Sequence, residues 1–310
     1  MAKVLVATEK PFSPDAVEAM RQEAATAGFG FLLLEKYTDA HSLQQAVRDA
    51  DALIIRSDKV DEDVLAAAGQ LKIVVRAGAG YDNIDLAAAS AKGICVMNTP
   101  GQNANAVAEL VFGMLIYALR NFYAGTAGTE LKGKKLGILA YGNVGRHVAR
   151  LAQGFDMQVY AYDAFCPSEV IARDHVQPLA SAGELFRTCP IVSLHIPVTG
   201  ETKRCINYDL LSLLPQGAIL VNTARKEVIC EPCLARIFAE RPDFRYLSDI
   251  RPDIHADLAA SYPDRYFSTP KKMGAQTAEA NFNAGVAAMQ QVIAFLTTGD
   301  ETFRVNKPNK

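Results

Sequence analysis

The stretch KKLGILAYGNVGRHVARLAQGFDMQVYAYDAF, residues 134–165, leaves this chain few folds to choose from. An apolar run (136–140) meets a glycine turn, a helical pattern follows, and a second β-rich run (157–162) ends at Asp163. Two strands joined through a helix lie parallel, with a right-handed crossover. A parallel sheet needs helices over both faces. The rest of the chain keeps the same rhythm. Earlier strands are expected at 3–7, 29–35, 52–56, 72–76 and 94–97, separated by helices at 13–27, 41–50, 61–68 and 85–92. Ser13-Pro14-Asp15 is a helix start and Gly93 a helix stop. Later strands are expected at 136–140, 157–162, 191–196, 218–222, 245–249 and 265–268. The fold class is therefore α/β, with two doubly wound parallel-sheet domains. An apolar helix near 104–120 separates the two series, and a long helix near 276–297 follows the second. Returning that helix to the first domain gives domains of 1–98 with 283–310, and 99–282. Residues Asn306 to Lys310 are expected to fray.

Composition removes several classes of function. The 310 residues carry a net charge of -2, which offers no footprint for nucleic acid or an anionic membrane. The longest apolar run, Leu110 to Leu119, is bounded by Glu109 and Arg120 and is too short to span a bilayer. MAKVLVATEK has one early lysine and then a strand-like run, unlike a signal peptide. Six scattered cysteines are expected to be reduced thiols in a cytoplasmic protein. Cys230-Glu-Pro-Cys233 precedes a helix, where a thiolate is stabilised, and two ordinary thiols are expected there. No second cysteine pair or histidine cluster makes it a zinc site, and no metal is expected.

The glycine turn reads Ala140-Tyr141-Gly142-Asn143-Val144-Gly145. A dinucleotide turn has glycine at the first of these positions, and alanine serves there if its φ stays negative. Gly142 lets the backbone approach a pyrophosphate, and Gly145 lets helix pack on strand. The helix N-terminus supplies N–H groups to the phosphates. Asp163, 18 residues after Gly145, would accept both ribose hydroxyls of NAD and repel the 2′-phosphate of NADP. A glycine turn without ligand is the alternative, but strand, turn, helix, strand and acid in order point to NAD.

Other stretches carry a family resemblance: IIRSDKV (54–60), VVRAGAGYDNIDLAAASAKGICVMNTP (74–100), SLHIPVT (193–199), VNTAR (221–225) and GAQTAEAN (274–281). With the glycine turn they resemble the D-isomer 2-hydroxyacid dehydrogenases. The run Arg-Ala-Gly-x-Gly-x-Asp-Asn-x-Asp and IRSDKV favour the phosphoglycerate branch. The resemblance implies a homodimer of two-domain chains, a flavodoxin-like substrate domain with a Rossmann NAD-binding domain, and a site in the crevice between them. It implies NAD-linked oxidation of D-3-phosphoglycerate to 3-phosphohydroxypyruvate. Glyoxylate or hydroxypyruvate reduction, or a non-catalytic NAD-binding regulator, are the alternatives.

Residue by residue, Arg225 resembles the arginine that holds the substrate carboxylate by two parallel bonds; a structural ion pair is the other reading. Gly78-Ala79-Gly80 resembles the loop whose N–H groups receive that carboxylate, and Asn103 a substrate contact. His195 and Pro197 resemble the loop against adenine and ribose. Thr223 and Asp249 resemble residues near the nicotinamide carboxamide, with Ala224 and Gly274 beside them. Arg56 and Arg76 each end a strand and so share one sheet edge, and with Lys59 nearby their charge suits a phosphate as well as a carboxylate. A solvated basic edge would look the same.

Three departures stand out. Where the family has a histidine before the last helix, this chain reads Lys272-Met273-Gly274-Ala275, with Lys271 competing for the role. Where it has a glutamate five residues after the position of Asp249, this chain has Ile254, and Asp253 and Asp257 lie nearby. A histidine needs a carboxylate to fix its tautomer; a lysine has none to fix. A close carboxylate would raise a lysine above its usual ~10.4, and Arg225 nearby would lower it. Lys272 is therefore expected to act as the proton donor and acceptor, against the bland reading of a surface lysine. Thirdly, RNFYAGTAGTELKGKKLG is shorter than its counterparts and the chain has no tryptophan, so no cross-subunit substrate contact is expected there. No C-terminal regulatory domain is expected either.

Overall fold

The computed structural model describes residues 1–306. Its first sheet has five parallel strands, β1 (Lys3–Thr8), β2 (Gly30–Glu35), β3 (Ala52–Ile55), β4 (Ile73–Arg76) and β5 (Cys95–Asn98), in the order β2-β1-β3-β4-β5. Between them run α1 (Pro14–Thr26), α2 (Ala40–Ala46), α3 (Glu62–Ala67) and α4 (Leu86–Ala91). Short polar side chains start all four helices. Ser13 Oγ accepts from the Ala16 N–H, and Asp39, Asp61 and Asp85 do the same for Ser42, Val64 and Ala88. Each such cap is worth about 1 kcal/mol. Gly93, at φ +69°, closes α4 by donating to the Ser90 carbonyl.

The second sheet follows α5 (Ala104–Leu119). It comprises β6 (Lys135–Leu139), β7 (Gln158–Tyr162), β8 (Gln177–Pro178), β9 (Ile191–Leu194), β10 (Ile219–Asn222), β11 (Arg245–Ser248) and β12 (Tyr266–Ser268). Their order is β12-β11-β10-β9-β6-β7-β8, again all parallel. The connecting helices are α6 (Asn143–Gly154), α7 (Ser168–Arg173), α8 (Ala182–Thr188), α9 (Tyr208–Ser212), α10 (Glu231–Glu240) and α11 (His255–Ser261). Alternate residues of the central strands enter different cores: Leu220 packs with Leu194 and Phe238, Val221 with Ile138 and Leu115. Strand order reverses between β6 and β9, and a doubly wound sheet binds ligands outside the carboxyl ends of its strands at such a point. β8 was not foreseen, being two residues long with proline on the sheet edge. β9 stops two residues earlier than expected.

A last helix, α12 (Ala278–Thr298), completes the first unit. The chain divides into Met1–Asn103 with Thr277–Lys310, and Ala104–Gln276. α12 lies on α1 through Ala284, Ala288, Met289 and Val292. Burying Met289 and Val292 contributes about 1.5–3 kcal/mol each. Gly285 makes the approach possible, since a Cβ there would stand 3.1 Å from Phe12 Cε1.

Two expectations are corrected here. Asn306 is not frayed: it is buried, its Oδ1 accepts from the Val96 N–H (2.8 Å) and its amide donates to the Ile94 carbonyl (2.8 Å). Sequence reading missed this because a polar residue near a chain end carries no sign of its partners; 307–310 lie outside the described residues. Cys230 and Cys233 are not two thiols but a disulfide. The other four cysteines are unbonded. Among the described residues, no helix is long and apolar enough to cross a membrane, and no cluster of His, Cys, Asp or Glu could hold a metal ion.

Candidate active site

The glycine turn leaves β6 at the reversal of strand order. Ala140 adopts φ +75°, contrary to the expected negative angle. The helix that follows packs closely on this turn: a Cβ on Gly145 would stand 2.5 Å from the Ala140 carbonyl oxygen. An alanine held left-handed costs about 1 kcal/mol. Ala140→Gly should therefore stabilise the protein by up to about 1 kcal/mol, read as a higher urea midpoint at unchanged slope. A lower midpoint would refute the assigned strain.

Asp163 lashes this turn to the end of β7. Oδ2 accepts from the Tyr141 N–H (2.6 Å), and Oδ1 from the N–H groups of Phe165 (2.7 Å) and Cys166 (2.8 Å). Burial pushes its carboxyl up, but these donors outweigh burial and hold it below the usual carboxylate range. Tyr141 buries its ring, and its hydroxyl donates to Asp174 (3.0 Å), which also pairs with Arg146 (3.1 Å). Gly142 and Asn143 are exposed, Val144 is half-buried, and no side chain caps α6. A Cβ on Gly142 would meet nothing. Uncapped N–H groups facing open space suit a pyrophosphate.

At the end of β10, buried Asn222 shapes the next turn. Its Nδ2 donates to the Arg225 carbonyl (3.0 Å), and its Oδ1 accepts from the Ala224 N–H (3.0 Å). Arg225 emerges half-buried, with Nη1 donating to the Ala224 carbonyl (2.9 Å). Thr223 Oγ1 is buried with no hydrogen-bond partner among the described residues. An orphaned hydroxyl costs about 1–3 kcal/mol, and a bound polar ligand would recover it.

Beyond β11, Asp249 anchors the lysine loop. Oδ1 accepts from Thr269 Oγ1 (2.9 Å) and the Met273 N–H (2.7 Å), and Oδ2 from the Gly274 N–H (2.8 Å). A Cβ on Gly274 would stand 2.9 Å from Asp249 Oδ2. Lys271 and Lys272 are both exposed. Ile254 is half-buried at the start of α11, Asp257 is exposed in its first turn, and Asp253 pairs with Lys226. Sequence reading missed Glu231, whose carboxylate accepts from the N–H groups of Asp253 (2.9 Å) and Ile254 (3.1 Å).

His195 follows β9, its Nε2 2.9 Å from Ser193 Oγ. Part of its surface is exposed, yet the packing around the ring pushes its pKa down, to about 3. From pH 6.5 down to about 3, the unfolded chain binds a proton here that the folded chain refuses. Stability should thus fall on acidification through that window, by about 1–2 kcal/mol at pH 5. His195→Asn should flatten that part of the urea-midpoint profile; parallel profiles would disprove the assignment. Pro197 is exposed, and its carbonyl accepts from Thr202 Oγ1 (2.6 Å). Phe165 was also missed: two residues past Asp163, it is 93% exposed, and only its apolar character beside the acid could have marked it.

In the first unit, Gly78 sits at φ +147° with Arg76 folded over it, so close that a Cβ there would overlap Nη1. Arg76 Nε donates to the Arg56 carbonyl (3.0 Å). Asn98 holds the Ala79 carbonyl (2.6 Å), and the Gly78 carbonyl accepts from the Thr99 N–H (3.0 Å). Among the described residues, no backbone carbonyl takes the N–H of Gly78, Ala79 or Gly80. Arg56 points elsewhere: Nη1 donates to the carbonyls of Lys10 and Pro11 (both 3.0 Å), and Nη2 to Asn281. Lys59 pairs with Asp61 at 3.2 Å and is largely exposed. Asn103 is half-buried just before α5.

This architecture and these turns place the chain in a class. It belongs to the D-isomer specific 2-hydroxyacid dehydrogenase family, whose catalytic-domain sequence model matches residues 4–306. It is 33% identical to D-3-phosphoglycerate dehydrogenase of Methanocaldococcus jannaschii over its whole length, and spans 60% of that relative. It is 31% identical to hydroxypyruvate reductase of Thermotoga maritima, covering 94% of this chain and 98% of that one. Among solved structures it resembles the NAD+-bound 3-phosphoglycerate dehydrogenase of Entamoeba histolytica, with a TM-score of 0.90, 44% identity and 99% of each chain covered.

Proposed function

We propose that this chain is an NAD-dependent D-2-hydroxyacid dehydrogenase that oxidises D-3-phosphoglycerate at C2 to 3-phosphohydroxypyruvate and catalyses the reverse reduction. The observation that carries this reading is the carboxyl edge of the second sheet. The ends of β6, β7, β10 and β11 there bear the uncapped glycine turn, an ionised Asp163, the partnerless Thr223 hydroxyl, and the turns that present Arg225 and Lys272. The residues fit NAD: N–H groups of Gly142, Asn143 and Val144 for the pyrophosphate, Asp163 for the adenosine ribose, Thr223 for the carboxamide, and Phe165 against adenine. Held by these residues, NAD would supply the hydride acceptor for the oxidation at C2. Arg225 holds the substrate carboxylate and polarises the C2 oxygen, and Lys272 takes the hydroxyl proton during oxidation. The N–H groups of Gly78–Gly80 and the Arg76 guanidinium bind the acidic groups of the substrate.

Similarity to the Entamoeba histolytica enzyme over 99% of each chain supports the phosphorylated substrate. A second reading, reduction of hydroxypyruvate itself, is favoured by one observation: the Arg56 guanidinium is tied to the chain and Lys59 to Asp61. NADH consumption decides between them. A kcat/KM at least about tenfold higher on 3-phosphohydroxypyruvate than on hydroxypyruvate is expected, equivalent to one added charge-assisted contact. Equal values would favour the second reading, and NAD binding without turnover on either would reject both. The same reading gives a cytoplasmic homodimer with a small-molecule substrate.

A further inference from the structure

The disulfide Cys230–Cys233 belongs to no step described above. Cys230 starts α10, Cys233 lies in its first turn, and both residues are half-buried. Its ring encloses Glu231, the side chain that holds the N–H groups of Asp253 and Ile254. Asp253 in turn pairs with Lys226, the residue after Arg225. A covalent ring, a carboxylate and an ion pair thus link the first turn of α10 to the 250–254 segment and to the Arg225 turn, all within the second unit.

We propose that Cys230 and Cys233 are a reversible thiol–disulfide exchange site, with a thiol reductant as co-substrate, and that its state sets the order of the 250–254 segment. In the forward step a reductant thiolate attacks one sulfur, and the Cys230–Cys233 bond breaks with its electron pair leaving on the other. That sulfur takes a proton. A second reductant thiolate then attacks the mixed disulfide and releases the first cysteine. Two electrons enter the protein, and two reductant thiols become one disulfide. α10 carries no side-chain cap, so the N–H groups of its first turn stabilise the departing thiolate. Three of the other four cysteines are poorly suited to compete. Burial pushes the thiols of Cys95 to about 11 and of Cys189 to about 12, and raises that of Cys205. Reduction opens the ring around Glu231, and its grip on Asp253 and Ile254 then depends on a freer first turn.

The test uses the whole chain with NAD, equilibrated in glutathione buffers of graded ratio or in dithiothreitol, then alkylated and digested. The 230–233 peptide should gain two labels together as the buffer becomes reducing, while Cys95 and Cys189 stay constant. Amide exchange in 250–254 should rise by about threefold or more on reduction, and Cys230→Ser and Cys233→Ser should each hold it at the reduced value in every buffer. A bond that never forms, one that yields only when the protein unfolds, or equal exchange in both states would overturn the proposal. Titration by dithiothreitol but not by glutathione would assign the reductant to dithiols. Only the link to Arg225 rests on the dehydrogenase reading. Its measure is KM for the 2-oxo acid, expected to differ between the two states and to stay constant in the serine variants. Redox-dependent exchange without any turnover would sink the dehydrogenase reading and leave the exchange site standing.

Discussion

Arg225→Ala should lower kcat/KM for the 2-oxo acid by roughly a thousandfold, about 4 kcal/mol of transition-state binding. Two charge-assisted bonds to the carboxylate are lost, each worth about 1.5–3 kcal/mol. Arg225→Lys keeps the charge but not the planar fork, and should recover only part of the loss. Added guanidinium should restore some activity to the alanine variant. Full activity in Arg225→Ala at an unchanged KM would remove this residue from the site.

Lys272→Ala should lower kcat by about 10²–10⁴, the range of a positioned acid–base group, with Lys271→Ala within about twofold of the parent. The pH dependence carries the sign. Reduction consumes the ammonium form, so its kcat should fall as pH rises through the lysine's titration; oxidation consumes the free amine and should rise through the same range. Asp249→Ala tests the support of this loop. It leaves the N–H groups of Met273 and Gly274 without their acceptor, and should depress kcat even though both lysines remain. Equal losses for Lys271→Ala and Lys272→Ala would reassign the role, and no loss for either would end it.

The alternation of strand and helix was legible because each element is long enough to show its period. Ser13, Asp39, Asp61 and Asp85 mark helix starts by chemistry that acts within three residues. Features that depend on distant partners were not legible. The place of Asn306 is set by a strand some 210 residues away. Pairing of Cys230 with Cys233 is local, but it depends on a turn conformation that the residue types alone do not specify. In the candidate site, residue identities at Arg225, Asp163 and the glycine turn could be read directly. The anchoring of the lysine loop by Asp249, the hold of Glu231 on residues 253 and 254, and the engagement of Arg56 by Lys10, Pro11 and Asn281 could not. Each is a contact between segments whose sequences say nothing of one another.

The segment Arg304–Asn306 has a further consequence. β5 is the last strand of its sheet, and the outer N–H and C=O of Val96 would otherwise face solvent. Val305 donates to that carbonyl (2.8 Å), Asn306 Oδ1 accepts from that N–H, and Arg304 bridges Met97. An unpaired sheet border is a template on which neighbouring chains stack and precipitate. These three residues act as a sealing strip, so the colloidal behaviour of this protein hangs on two backbone pairings and one amide side chain.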